Sequence, residues 1–387
     1  MSAPDRLFTP RFFLMCGFSF TVFLSAFQLF PTAPFRILAL GGSAAAAGLF
    51  LGLLTYASAV SAPVTGMLAD RYGKRRVLVI AGVALTVFAL LYGVLPSYQA
   101  MLALVVVQGL FWSGLLSASA AYLTEQVPPS RRAEGIGYWG LSTIVAVAVA
   151  PAIGLWVYER GGWTLLCLEA AALNLGMAAI AWSLPDDVHR TTGPLDFALA
   201  RLVEWRVVGM AGTLFLYAFG YGGITSFVAL YADAEGVTPR ALYFATFSCA
   251  ILFTRPFVVR LADRVGYRRV LFPCLGMVAL GFALLALGGS RAIFIASALC
   301  FGTGFGSVYP VFVAYIMRHV EETRRGAAFG GMIGAFDTGI GTGSIAMGWI
   351  VQHVGFRPAF GTAALLAALA APYFIVADRR WRRWVEH

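Results

Sequence analysis

Twelve apolar runs, each about long enough to cross a bilayer, leave this chain few ways to fold. They fall at about 12–34, 44–69, 77–95, 99–124, 134–158 and 163–184. After one longer polar stretch they resume at about 207–232, 241–262, 270–288, 292–317, 326–352 and 358–377. An α-helix needs roughly 20 apolar residues, at about 1.5 Å rise each, to span the hydrocarbon layer. Divided among twelve spans, 387 residues leave about 32 for each helix and loop, which excludes a large soluble domain. Only 12% of the residues are charged and 60% are hydrophobic, whereas soluble chains carry about 25% charged residues to keep their surfaces hydrated. The solvent of this chain is therefore lipid. The first run is too long for a signal-peptide core and lacks a clean cleavage site, so it is expected to stay as the first span.

The net charge of +10 does not mark a nucleic-acid surface, because the basic residues are scattered through short loops. With the N-terminus in the cytoplasm, that side collects 21 Lys and Arg, at Arg6, Arg11, Arg71, Lys74, Arg75, Arg76, Arg131, Arg132 and in the later even loops and the tail. The other side collects 5, namely Arg36, Arg160, Arg240, Arg291 and Arg357. Such a bias predicts an inner-membrane protein with both termini cytoplasmic. Five cysteines and four histidines are dispersed without metal-ligand or redox spacing, so no metal, cofactor or enzymatic centre is expected. No nucleotide-binding loop is present in the sequence to couple the chain to ATP.

The chain also repeats itself. Leu68-Ala-Asp-Arg-Tyr-Gly-Lys-Arg-Arg-Val-Leu78 returns as Leu261-Ala-Asp-Arg-Val-Gly-Tyr-Arg-Arg-Val-Leu271, a shift of 193 residues. The same shift carries Pro63 to Pro256, Gly109 to Gly302, Tyr122 to Tyr315, Gly137 to Gly330 and Gly162 to Gly355. A shift of six spans preserves orientation, so the halves are parallel repeats about an axis along the membrane normal. The expected division is a six-helix bundle over 1–184, a cytoplasmic linker over 185–206 and a second bundle over 207–387.

These residues resemble the major facilitator superfamily, in its twelve-helix drug or metabolite antiporter branch. Gly66-x-x-x-Asp70-Arg71-x-Gly73-Lys74-Arg75 matches that family's signature loop between its second and third helices, and Asp263, Arg264, Gly266 and Arg268 echo it. The resemblance implies an all-α membrane fold and a loop that acts as a conformational gate by clasping the second helix to the eleventh. Read from the residues alone, a basic topology anchor is the alternative role for the loop. In the second copy Val259 replaces the first glycine. Ala150-Pro151-Ala-Ile-Gly154 partly matches the family's antiporter signature, and Pro151 can bend its helix. Against proton-coupled antiport, Val105 stands where many of those proteins have arginine.

A charge inside a span costs at least ~3 kcal/mol on insertion scales, and two such charges stand out. Arg255 sits about 12 Å from the cytoplasmic end and Asp337 about 16 Å deep, at 1.5 Å per residue. Their counterparts under the repeat are Ala62 and Ile144, so the duplication does not account for them. Either they couple transport, Asp337 taking a proton or cation and Arg255 an anion, or they form a fixed ion pair. Asp337 shares a helix face with Gly330, Gly334, Gly341 and Gly348, a pattern that also suits close packing. By the resemblance, a central cavity would be walled by Gln28, Gln108, Trp112, Tyr138, Trp139, Tyr217, Tyr221, Tyr309 and Phe336. Glu169 and Asn174 fall on a peripheral span.

The resulting expectation is a monomeric secondary transporter that moves a small amphipathic or aromatic solute by rocking two halves, driven by protons and directed outward. Uptake or exchange of a metabolite on the same fold is the alternative. A membrane receptor or scaffold is the reading from a different class.

Overall fold

A computed structural model of the chain describes residues 7–128, 131–185, 205–321 and 325–385. Most of the polar stretch expected as a linker, 186–204, lies outside them, as do Arg6, Arg190, Arg201 and Arg324. The described residues form α-helices and no strand. They are α1 (Pro10–Ala39), α2 (Ala44–Tyr72), α3 (Lys74–Val94) and α4 (Tyr98–Gln126). One run, Arg132–Ser183, follows; Gly162, at φ 68°, breaks it into α5 (132–161) and α6 (163–183). Then come α7 (Trp205–Ala234), α8 (Leu242–Val265), α9 (Tyr267–Leu287), α10 (Arg291–Met317), α11 (Arg325–His353) and α12 (Phe356–Val385).

Ten of these runs are long and apolar enough to cross a membrane, and the 50-residue run Glu134–Ser183 has room for two crossings. The exception is α11, whose eight glycines, two threonines, Ser344 and Asp337 dilute its apolar content. Its small residues serve packing instead. A Cβ on Gly343 would overlap the Phe219 carbonyl oxygen, and one on Gly222 would overlap that of Ile340. With lipid on both sides there is little hydrophobic gain in helix pairing, so backbones that touch supply the attraction.

The duplication is visible in local geometry. Gly73 joins α2 to α3 at φ 99°, ψ 132°, and Gly266 joins α8 to α9 at φ 97°, ψ 138°. Only glycine visits that region without strain, which is why both copies of the signature carry it. Ser97 caps α4 by accepting from the Ala100 amide, and Ser290, 193 residues on, caps α10 by accepting from Ile293.

The helices assemble into two compact units, Met1–Thr32 with Tyr56–Leu195, and Ala33–Thr55 with Asp196–His387. Sequence position places 33–55 with the first half, whereas packing places it in the second unit. Ser344 Oγ donates to the Gly48 carbonyl at 2.8 Å and lies 2.7 Å from Ser226 Oγ, while Gln352 Oε1 accepts from the Ala45 amide at 3.1 Å. Small residues at these positions allow the approach, and no hydrophobic pattern announces it.

In the first unit α3 packs on α4 and on α6, where Asn174 donates to the Leu85 carbonyl and Trp163 to that of Tyr92. In the second unit α11 packs on α7, α10 on α8 and α9, and α12 on α9 and α7. Its core is a stack of rings in which Phe305 lies 4.8 Å from Tyr217, 4.2 Å from Tyr221 and 5.0 Å from Phe301. Rings at these spacings add to area burial through their quadrupoles.

Candidate functional site

Arg255 and Asp337 both belong to the second unit. Asp337 projects from α11 and Arg255 from α8, and each is half-buried. They form no ion pair with each other, and neither has a hydrogen bond or salt bridge among the described residues. The fixed-pair alternative is therefore not what this conformation contains. Between them run aromatic groups. Tyr309 is in electrostatic reach of Asp337, Tyr217 is in reach of both Tyr309 and Arg255, and Phe336 lies 5.2 Å from Tyr309 and 5.9 Å from Tyr217.

The glycines that share a face with Asp337 do not make a continuous packing seam. Nothing lies within 4 Å of where a Cβ would stand on Gly330 or Gly334, whereas a Cβ on Gly348 would stand 2.8 Å from the Ala44 carbonyl. Close contact with α7 is made by a neighbouring stripe, Gly339 and Gly343. The face of α11 that carries Gly330 and Gly334 is thus open on the way to Asp337.

The other residues expected around a cavity divide by exposure. Tyr309, Phe336 and Trp139 are half-buried, and Trp139 Nε1 donates to Ser19 Oγ at 2.6 Å. Tyr217 and Tyr221 are enclosed in the second unit, where the Tyr217 hydroxyl donates to the Phe305 carbonyl at 2.9 Å. Gln28, Gln108 and Trp112 are enclosed in the first unit. Gln108 accepts from the Tyr92 hydroxyl at 2.6 Å, and Trp112 meets Phe23 edge-on at 5.7 Å. Tyr138 is exposed against Phe8, with ring centroids 5.3 Å apart. Gly154 of the proline-containing α5 lies against Gln28, where a Cβ would come within 2.8 Å of its backbone. Enclosed residues set the shape and stiffness of a wall; in this conformation Tyr138, Trp139, Tyr309 and Phe336 are the ones that present surface.

At the Lys/Arg-rich end of each unit the signature loop is tied down. In the first copy the buried Lys74 Nζ lies 2.7 Å from Glu125 and 3.9 Å from Asp70. Arg75 donates to the Trp182 carbonyl at 2.6 Å, and the Tyr122 hydroxyl donates to that of Pro185 at 3.2 Å. The second copy repeats this scheme with a side chain in place of a backbone. Asp378 stands 193 residues after Pro185; it accepts from the Tyr315 hydroxyl and pairs with Arg268 at 3.4 Å. The repeat signals Tyr122 and Tyr315 in the sequence, but nothing there flags Asp378, because its counterpart is a proline. Asp378→Ala leaves a buried hydroxyl without its charged acceptor and is expected to cost about 2–3 kcal/mol, against about 1 kcal/mol for Tyr122→Phe. Thermal melting of the purified protein measures both, and equal losses would deny the carboxylate any special part.

A family model described as Major Facilitator Superfamily matches residues 13–253 and, again, 210–386. The MFS-type transporter YhhS of Escherichia coli K12 is 26% identical over 341 residues, covering 86% of this chain and 83% of that protein. The MFS-type transporter PA14_38730 of Pseudomonas aeruginosa UCBPP-PA14 is 28% identical over 354 residues, covering 89% and 87%. The nucleoside transporter NupG, in the crystal structure of a point mutant, aligns with TM-score 0.76 at 16% identity over 95% of this chain and 99% of that one. The human organic anion transporter MFSD10 aligns with TM-score 0.65 at 16% identity over 96% and 100%.

Proposed function

The chain belongs to the Major Facilitator Superfamily, as a multi-pass membrane transporter and not an enzyme, and from that premise we propose that it is a proton-coupled antiporter exporting a small amphipathic or aromatic solute. The single observation that carries the coupling is Asp337, an intramembrane carboxyl on an open helix face with no hydrogen-bond or ion-pair partner among the described residues. A carboxylate so placed gains most from a proton or a cationic solute, and the two compete for it. Solute and proton then cross in opposite directions as the halves rock between two states, each favouring one occupant. Pro151 and Gly154 let α5 bend during that motion.

The loop residues Gly66, Asp70, Arg71, Gly73 and Arg75, with Asp263, Arg264, Gly266 and Arg268, act as gates at the basic end in this reading. The Lys and Arg bias supports placing that end, and both termini, on the cytoplasmic side of a bacterial inner membrane. The protein works as a monomer, each chain carrying its own site. The solutes named for the two solved structures are not carried over, since 16% identity shares a fold and not a pocket.

The test is reconstitution of the purified protein into vesicles holding a pH-sensitive dye, challenged with a panel of amphipathic aromatic compounds. Solute-dependent proton movement, collapsing with an uncoupler, is the expected result. Solute flux indifferent to the pH gradient would replace antiport with facilitated exchange. No flux of any compound would refute the amphipathic aromatic solute class.

A further inference from the structure

Arg255 and Asp337 are opposite charges on one unit, at membrane depth, and they do not neutralise each other. Burial of a charge is unfavourable unless something of opposite sign or matching hydrogen-bonding power meets it. In this conformation no protein group among the described residues performs that task for either. The surface that links them is aromatic and half-open. Phe336 and Tyr309 present their rings beside Asp337, and Tyr217 lies beneath, stacked on Phe305 at 4.8 Å and within electrostatic reach of Arg255. The open face beside Gly330 and Gly334 gives a ligand room to lie along α11.

We infer that the solute is bipolar: a planar aromatic body with a cationic or donor group at one end for Asp337 and an anionic or acceptor group at the other for Arg255. This rests on the transport reading above and narrows it to a substrate class. The Arg255 guanidinium offers a fork of N–H donors suited to a carboxylate, and the Asp337 carboxylate accepts from an ammonium. The aromatic body stacks or sits edge-on against Tyr309 and Phe336, gaining area and quadrupole energy that an aliphatic zwitterion would lack. A solute with one charge would satisfy one protein group and leave the other desolvated against it, which is how a buried polar site rejects a near-miss.

Four indole compounds separate the terms because they share one ring system. Tryptophan carries both charges, tryptamine the cation, indole-3-acetate the anion, and indole neither. Binding to the purified full-length protein is read as the concentration that gives half-maximal thermal stabilisation. Tryptophan is expected to act at concentrations about tenfold lower than either singly charged compound, since one charge-assisted contact is worth about that factor. Arg255→Gln should erase the advantage over tryptamine, with tryptamine acting at the same or a lower concentration than on the wild type, which shows that the variant is folded. Asp337→Asn should erase the advantage over indole-3-acetate, with indole-3-acetate as its own control. Equal potency of tryptophan and tryptamine, or stabilisation by none of the four at millimolar concentration, overturns the bipolar assignment. Vesicle flux keeps this apart from the transport reading. Proton-linked movement of solutes with no preference for two charges overturns the assignment and leaves transport intact. Tryptophan binding with the predicted charge dependence and no flux supports the assignment and refutes proton-coupled export of this solute class.

Discussion

Asp337→Asn is expected to reduce solute flux driven by a pH gradient to the level of protein-free vesicles, while exchange of solute against solute at saturating concentration continues. The amide keeps the shape and hydrogen-bonding capacity of the carboxyl but cannot take up and release a proton, so movement persists without a driving force. Asp337 is suited to this test because the groups around it do not depend on its charge. Its helix is held by Gly339 and Gly343 against α7, and no ion pair is broken by the substitution. Counterflow and gradient-driven uptake measured on one vesicle preparation separate the two outcomes. Unchanged driven flux in the variant would move proton coupling to another group.

Gly343→Ala is expected to destabilise the protein strongly. The added methyl would overlap the Phe219 carbonyl oxygen, a rigid backbone atom that cannot rotate away. Overpacking of a close contact costs typically about 1–3 kcal/mol, and a clash with backbone belongs at the upper end. For a domain of this size that amounts to a fall in Tm on the order of 5–10 °C. Gly330→Ala, on the same helix with open space at the added methyl, should be neutral or slightly stabilising, since alanine favours helix over glycine by about 1 kcal/mol. Melting of the two variants side by side checks the claim; equal losses would mean that α7 and α11 are not held by backbone contact.

The contrast between these glycines shows where sequence reasoning stops. On a helical wheel Gly330, Gly334, Gly341 and Gly348 form one stripe with Asp337, and such a stripe reads as a packing seam. The partner helix decides otherwise: the seam against α7 runs through Gly339 and Gly343, and the Gly330 and Gly334 side stays open. Periodicity says which residues share a face and is silent about what that face meets. Tyr217 and Tyr221, which the family resemblance offers to a cavity, are enclosed by the fold among Phe247, Phe301 and Phe305. Asp378 was invisible for another reason. It lies near the basic end of a span, where an acid attracts no notice, and only packing brings Tyr315 and Arg268 to it.

What the sequence determined by itself was everything set by local physics. Apolar runs of bilayer length dictate helices because each peptide group in lipid must find its partner inside its own segment. Repetition at 193 residues dictates two like-oriented halves, and glycine at 73 and 266 dictates the reversals between helices. Only the tertiary structure decided which helices touch, that residues 33–55 pack with the second unit, and that Arg255 and Asp337 form no ion pair with each other. Those outcomes depend on shape matching between surfaces remote in the chain. In lipid such surfaces are nearly uniform in hydrophobicity, so their composition carries little of the answer.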